Sequence, residues 1–144
     1  MPHRTLRQIV GNKELLHVPP ETSVLEATRR MAERQVAAVL ITEAGRLEGI
    51  FTERDLLRRV IVAGLAPETT PVGDVMSRNP VTIAADQTGT EALRMMAEAG
   101  IRHLIVEGAG VEGFAILSMR DFMSGEVAEA EREISFQRQL WEDL

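Results

Sequence analysis

The chain has no cysteine, and aromatic residues occupy only 3% of its 144 positions. The first absence excludes disulfides, thiol nucleophiles and zinc–thiolate sites, and fits a reducing compartment. The second means that a core must be assembled from Val, Ile, Leu, Met and Ala. That is feasible, because hydrophobic residues reach 44%. Long apolar runs are missing too. The longest aliphatic stretch, Val36 to Ile41, has six residues, against the roughly 20 needed to span a bilayer. The opening Met1-Pro2-His3-Arg4-Thr5-Leu6-Arg7 holds no apolar signal-peptide core. The expectation is a soluble, cytoplasmic protein with no membrane partner.

Clustered positive charge is also lacking. The net charge is −6, distributed as +2 over residues 1–60 and −4 over each of residues 61–125 and 126–144. Nucleic-acid binding depends on grouped Lys and Arg, so no nucleic-acid partner is expected. His3, His17 and His103 show no metal-ligand spacing. There is no Gly-x-Ser-x-Gly elbow. Gly108-Ala109-Gly110-Val111-Glu112-Gly113 matches GxGxxG, but it joins two expected strands with no helix directly after it. The dinucleotide fingerprint needs that helix, so the segment reads as a hairpin loop. No catalytic set, metal or cofactor is expected, and the chain does not read as an enzyme.

What the sequence does contain is a repeat. Glu26-Ala27-Thr28-Arg29-Arg30-Met31-Ala32-Glu33 returns 65 residues later as Glu91-Ala92-Leu93-Arg94-Met95-Met96-Ala97-Glu98. The same offset aligns Val18 with Ile83, Val36 with Ile101 and Val39 with Leu104. One inserted residue later, Thr52-Glu53-Arg54-Asp55 matches Ser118-Met119-Arg120-Asp121 at an offset of 66. Each copy reads as a short strand, a helix, two aliphatic strands and a second helix. Ser23 and Thr88 stand as N-caps, with Glu26 and Glu91 at capping-box spacing. Val24, Ala27 and Met31, and then Ala92, Met95 and Met96, form the buried stripes. Strands are expected over Leu15–Val18, Ala38–Thr42, Leu47–Phe51, His103–Glu107 and Phe114–Leu117. Neither copy alone promises a sufficient core, so face-to-face packing of the two is expected.

Aliphatic strands running into Gly49-Ile50-Phe51-Thr52-Glu53-Arg54-Asp55-Leu56 and Ile116-Leu117-Ser118-Met119-Arg120-Asp121-Phe122 give the chain its resemblance to a tandem CBS (cystathionine-β-synthase-type) pair, or Bateman module. Pro71-Val72-Gly73-Asp74-Val75-Met76 is similar to the usual lead-in of such a repeat. The resemblance covers about residues 5–123. It implies a mixed α/β (α+β) fold of two β-α-β-β-α repeats packed as a pseudo-two-fold pair. Repeat 1 with its lead-in is placed at 1–65, repeat 2 at 66–124, and a C-terminal helix at 125–144. It further implies a regulatory protein that binds an adenosine-containing ligand (AMP, ADP, ATP or similar) in a cleft between the repeats. A separate enzyme or transporter would be the regulated partner. The sequence departs from the family pattern where Leu40 and Ile105 replace a frequent Pro, where Ala115 answers Gly49, and where Gly89 answers Val24.

The Ser/Thr-x-x-Asp motif reads two ways. Thr52 and Asp55, or Ser118 and Asp121, can be N-cap and N3 residues with no ligand involved. The same turn can hold a nucleotide, with backbone N–H groups and the hydroxyl on phosphate and the carboxylate on a ribose diol. The resemblance puts the contact set at Val18, Ala38, Thr52, Arg54 and Asp55 in the first copy. In the second it comprises Ile83, Ile101, Arg102, His103, Ser118, Arg120 and Asp121. Arg102 and His103 have only Ala37 and Ala38 as counterparts, which ranks the second site first for phosphorylated ligands. Arg54 and Arg120 read equally well as phosphate contacts and as partners of nearby carboxylates.

From Gly125 the sequence reads as an acidic helix with a seam of Val127, Ala130, Ile134, Gln137, Trp141 and Leu144. It is too short and acidic to stand alone in water. It fits either an ordinary docked terminal helix or a homodimer interface through Val127, Ile134, Trp141 and Leu144. A ligand-free dimerisation or interaction module is the alternative to the sensor reading.

Overall fold

The computed structural model describes residues 4–11, 13–110 and 112–122. They form a short helix α1 (Leu6–Val10) and then two copies of one plan. The first copy comprises β1 (His17–Val18), α2 (Val24–Arg34), β2 (Ala38–Glu43), β3 (Arg46–Thr52) and α3 (Glu53–Asp55), which runs on as a π-helical stretch, Leu56–Ile61. A 3-10 turn, Val72–Asp74, and β4 (Ser77–Arg78) come next. The second copy comprises β5 (Thr82–Ala84), α4 (Gly89–Ala99), β6 (His103–Glu107), β7 (Phe114–Ser118) and a 3-10 turn, Met119–Phe122. The expected β-α-β-β order thus appears twice, followed by α3 in the first copy and, among the described residues, by a 3-10 turn in the second. Among the described residues no helix is long and apolar enough to cross a membrane.

Each copy builds its own sheet. The first has the order β1-β2-β3-β4 and the second β5-β6-β7. The opening strand of each copy pairs in parallel with the strand after the helix, and the next two strands form an antiparallel hairpin. A parallel pair needs a crossover, which α2 and α4 supply. Ser23 Oγ accepts from Glu26 N at 3.1 Å and Thr88 Oγ1 from Glu91 N at 3.2 Å, so both N-caps form as expected. The reciprocal half of the capping box does not. Glu26 instead accepts from Arg30 Nε at 3.0 Å, and Glu91 accepts from Arg94. An arginine one turn away outcompetes the neutral N-cap amide for the carboxylate.

The inserted residue of the second copy lies in its hairpin. In the first copy β2 and β3 join through a two-residue turn, Ala44 (φ 53°) and Gly45 (φ 77°), with a register shift after Ile41. In the second, Glu107 pairs with Phe114 across a longer loop closed by Gly108 N donating to Gly113 O at 2.9 Å. The GxGxxG segment is therefore a hairpin connection, as expected.

The compact units cut the chain elsewhere than at 65/66. One holds Glu14–Val81; the other joins the residues before Glu14 to those after Val81. Each lead-in packs on the opposite copy. Leu6 N and Arg7 N donate to Gln87 O and Ala85 O, and Gly89 N donates to Arg4 O. Correspondingly, Val72 N and Gly73 N donate to Thr22 O and Pro20 O, while Val24 N and Leu25 N donate to Thr70 O and Pro67 O. The physical reason is the set of unpaired N–H groups that begins every helix. The Pro67–Pro71 linker satisfies those of α2, and Arg4 serves one of α4. Leu6 and Val72 are each fully buried, and Val10 and Met76 are each 5% exposed. With these lead-ins each unit has its own apolar core, Phe51 with Val18, Val24 and Val39 in one, Phe122 with Leu6, Leu104 and Leu117 in the other. Each core is thus completed by a lead-in that comes from the other copy's stretch of sequence.

Candidate functional site

Both Ser/Thr-x-x-Asp motifs occupy the same joint, the end of a hairpin's second strand. Thr52 lies opposite Ala38 and Ser118 opposite His103, the first residues of the preceding strands. At the first joint Thr52, itself extended, caps the helical turn after it.

In the first copy the capping box is complete. Asp55 N donates to Thr52 Oγ1 at 3.3 Å, and Thr52 N donates to Asp55 Oδ2 at 3.0 Å. Thr52 Oγ1 also donates to Oδ2 at 3.2 Å. Oδ1 accepts from Ser77 Oγ at 3.0 Å and has Arg59 Nε at 3.6 Å. Arg59 in turn donates from Nη1 to Met76 O at 3.0 Å. Asp55 is 7% exposed and is the buried charged residue among the described ones. A buried carboxylate needs such a full set of donors, since an unpaired one would be strongly destabilising.

In the second copy Ser118 N donates to Asp121 Oδ2 at 2.7 Å and Ser118 Oγ to the same oxygen at 3.3 Å. Among the described residues the other donor is Lys13, whose Nζ reaches Oδ1 at 3.0 Å, Oδ2 at 2.9 Å and Ile116 O at 3.0 Å. The Asp121 side chain keeps 18% of its surface exposed, against 9% for Asp55. Lys13, Ser77 and Arg59 are not legible as site residues in the sequence. Only the uniqueness of Lys13, the chain's single lysine, could have drawn attention to it.

The other expected contact residues divide by burial. Val18 is fully buried and Ile83 is 6% exposed, and both pack inside the apolar cores. Ala38 is 3% exposed beside Thr52, and Ile101 is half-buried against its core. Arg54, Arg102 and Arg120 are exposed, and His103 is half-buried. The structure thus groups Ala38, Thr52 and Asp55 at one joint and His103, Ser118 and Asp121 at the other. Val127, Ile134, Trp141 and Leu144 lie outside the described residues.

The CBS domain model matches residues 6–62 and 72–126. The CBS domain-containing protein CBSCBSPB5 of Arabidopsis thaliana is 41% identical over 132 residues, 91% of this chain but 24% of that protein. The chain therefore spans about a quarter of the length of that relative. A conserved protein of Pyrococcus horikoshii has the same fold at a TM-score of 0.75 and 36% identity, covering 86% of this chain and 92% of that one. The CBS domain protein PAE2072 of Pyrobaculum aerophilum, solved in complex with AMP, superposes at a TM-score of 0.74 with 20% identity, over 89% of this chain and 97% of that one. Two family matches, two β-α-β-β copies and two equivalent Ser/Thr-x-x-Asp joints make one conclusion: this chain belongs to the CBS-domain family, as a tandem pair.

Proposed function

We propose that this CBS pair is a regulatory, non-catalytic protein that binds an adenosine-containing ligand (AMP, ADP, ATP or a relative) and passes its occupancy to a separate enzyme or transporter. The observation that carries the reading is Asp121. Its carboxylate stands at the motif joint, keeps 18% of its side chain exposed, and has an oxygen, Oδ1, with Lys13 as sole donor among the described residues. A carboxylate so placed can accept hydroxyl donors, and charge-assisted bonds of that kind contribute about 1.5–3 kcal/mol each. His103 in register with Ser118 and exposed Arg102 beside it add donors for phosphate. The AMP complex of PAE2072, which shares the fold, supports the ligand class. Calorimetry against adenosine, AMP, ADP, ATP and S-adenosylmethionine tests it. Saturable binding to at least one is expected; silence across the panel at millimolar ligand would overturn it.

A second reading, assembly, has its own observation. Leu57, Ile61, Val62 and Leu65 are 58%, 55%, 75% and 43% exposed, and every residue from Ile61 to Ala66 is exposed. Contiguous apolar surface of this kind marks contact sites. We assign it, with the seam expected from Val127 to Leu144, to a homodimer. Light scattering at micromolar concentration should give twice the monomer mass, and Leu57→Glu/Ile61→Glu should halve it. A monomeric wild-type protein would rule the dimer out.

A further inference from the structure

The ammonium of Lys13 is fully engaged. It has three N–H donors, and each has an acceptor: Ile116 O, Asp121 Oδ1 and Asp121 Oδ2. The Lys13 side chain is 34% exposed, so the pair is accessible but sheltered. The carbonyl of Ile116 fixes the ammonium over both carboxylate oxygens. This matters because Asp121 is the ligand-facing carboxylate of the function proposed above, and the role inferred for Lys13 rests on that proposal.

A ribose diol brings two hydroxyl donors, and a carboxylate offers about four lone-pair positions, two on each oxygen. Oδ2 already accepts from Ser118 N, Ser118 Oγ and Lys13. Among the described residues, Oδ1 accepts from Lys13 alone. One position remains, where a diol requires two. We infer that Lys13 is a specificity-determining residue of the second motif: its ammonium competes with ligand hydroxyls for Asp121, and a vicinal diol is accepted only as Lys13 releases an oxygen. Among the described residues the cation of the first motif is Arg59, whose Nε stands 3.6 Å from Asp55 Oδ1, farther than Lys13 from either Asp121 oxygen. Asp55 is held by the short, buried-side donors Thr52 and Ser77, with Arg59 tied to Met76 O. Lys13 sits instead on a flexible four-carbon stem that lets the charge swing away.

The test is adenosine, which has the diol and no phosphate to pair with a freed ammonium. Lys13→Met should bind adenosine about tenfold more tightly than wild type, as release of one charge-assisted bond implies. The gain should vanish in Lys13→Met/Asp121→Asn, and Lys13→Arg should show none. The wild-type chain gives an independent readout. Labelled at lysine Cε with carbon-13 it has one lysine signal, which should shift on adenosine addition with the same saturation as calorimetry. Adenosine binding that appears only in Lys13→Met would support the competition most strongly. Measurable wild-type binding of adenosine that Lys13→Met leaves unchanged or weakens, or that does not move the lysine signal, would overturn the inference and leave the ligand reading standing. Silence of both proteins toward adenosine and the nucleotides would overturn the two together.

Discussion

Asp55 and Asp121 occupy the same place in the same motif and live in different surroundings. Asp55 is 7% exposed and takes its donors from Thr52, Ser77 and Arg59, all within Glu14–Val81. Asp121 is more open and takes its donors from Ser118 and from Lys13, a lysine 108 residues away in the chain. A duplicated motif therefore does not imply a duplicated role. At the first joint the carboxylate is buried among donors of its own unit; at the second it is more exposed and carries the ammonium of Lys13.

Substitutions can break or sharpen that contrast. The largest effect belongs to features the copies share. Phe51 and Phe122 are each fully buried in their own core, and each Phe→Ala should cost about 3–5 kcal/mol in chemical denaturation. A loss confined to one of the two would show that the cores are not equivalent. Next come the carboxylates. Asp55→Ala strands Thr52 N and Ser77 Oγ in a buried setting, and about 2–4 kcal/mol of stability should be lost. Asp121→Ala leaves partners that water can reach, so its cost should stay near 1 kcal/mol. Equal losses would erase the structural distinction.

A backbone contrast ranks third. A Cβ on Gly49 would lie 2.6 Å from Ser77 O and 2.7 Å from Met76 Sδ, because β4 pairs there. Gly49→Ala should cost about 1–3 kcal/mol by overpacking. The matching residue of the second copy is already Ala115, in a sheet where the described residues place no strand beyond β7. A neutral Gly49→Ala would contradict this explanation of the departure. The smallest effect is at the surface. The hydrogen bond from Arg94 holds the Glu91 carboxyl below the usual carboxylate range, against an opposing effect of desolvation and with added help from the arginine's charge. A lowered folded value gives stability that is present at neutral pH and is lost as acid protonates the group. Glu91→Gln should therefore lower the melting temperature by about 1 °C or less at neutral pH, with no difference left in acid.

Local chemistry made much of this readable from the residues. The 65-residue offset, the N-caps Ser23 and Thr88, and the buried stripes of α2 and α4 all come from short-range rules, and the structure forms them, with Met95 only half-buried in the second stripe. Glu26 and Glu91 show where such rules stop, since capping-box spacing cannot tell whether an arginine will take the carboxylate first. The pairing of α1 with the second copy, and the meetings of Lys13 with Asp121 and Ser77 with Asp55, join residues far apart in sequence. Those contacts leave no periodic mark. The resemblance implies ligand contact for Val18 and Ile83, and the structure shows both side chains buried in the two cores.

The difference between the two joints is tested most directly by titrating AMP into Asp55→Asn and Asp121→Asn and following the melting temperature of each free protein. Asp121→Asn should weaken binding about ten- to hundredfold while barely moving the melting temperature, and Asp55→Asn should do the reverse. Undiminished affinity in Asp121→Asn, or a greater loss of affinity in Asp55→Asn at unchanged melting temperature, would contradict it.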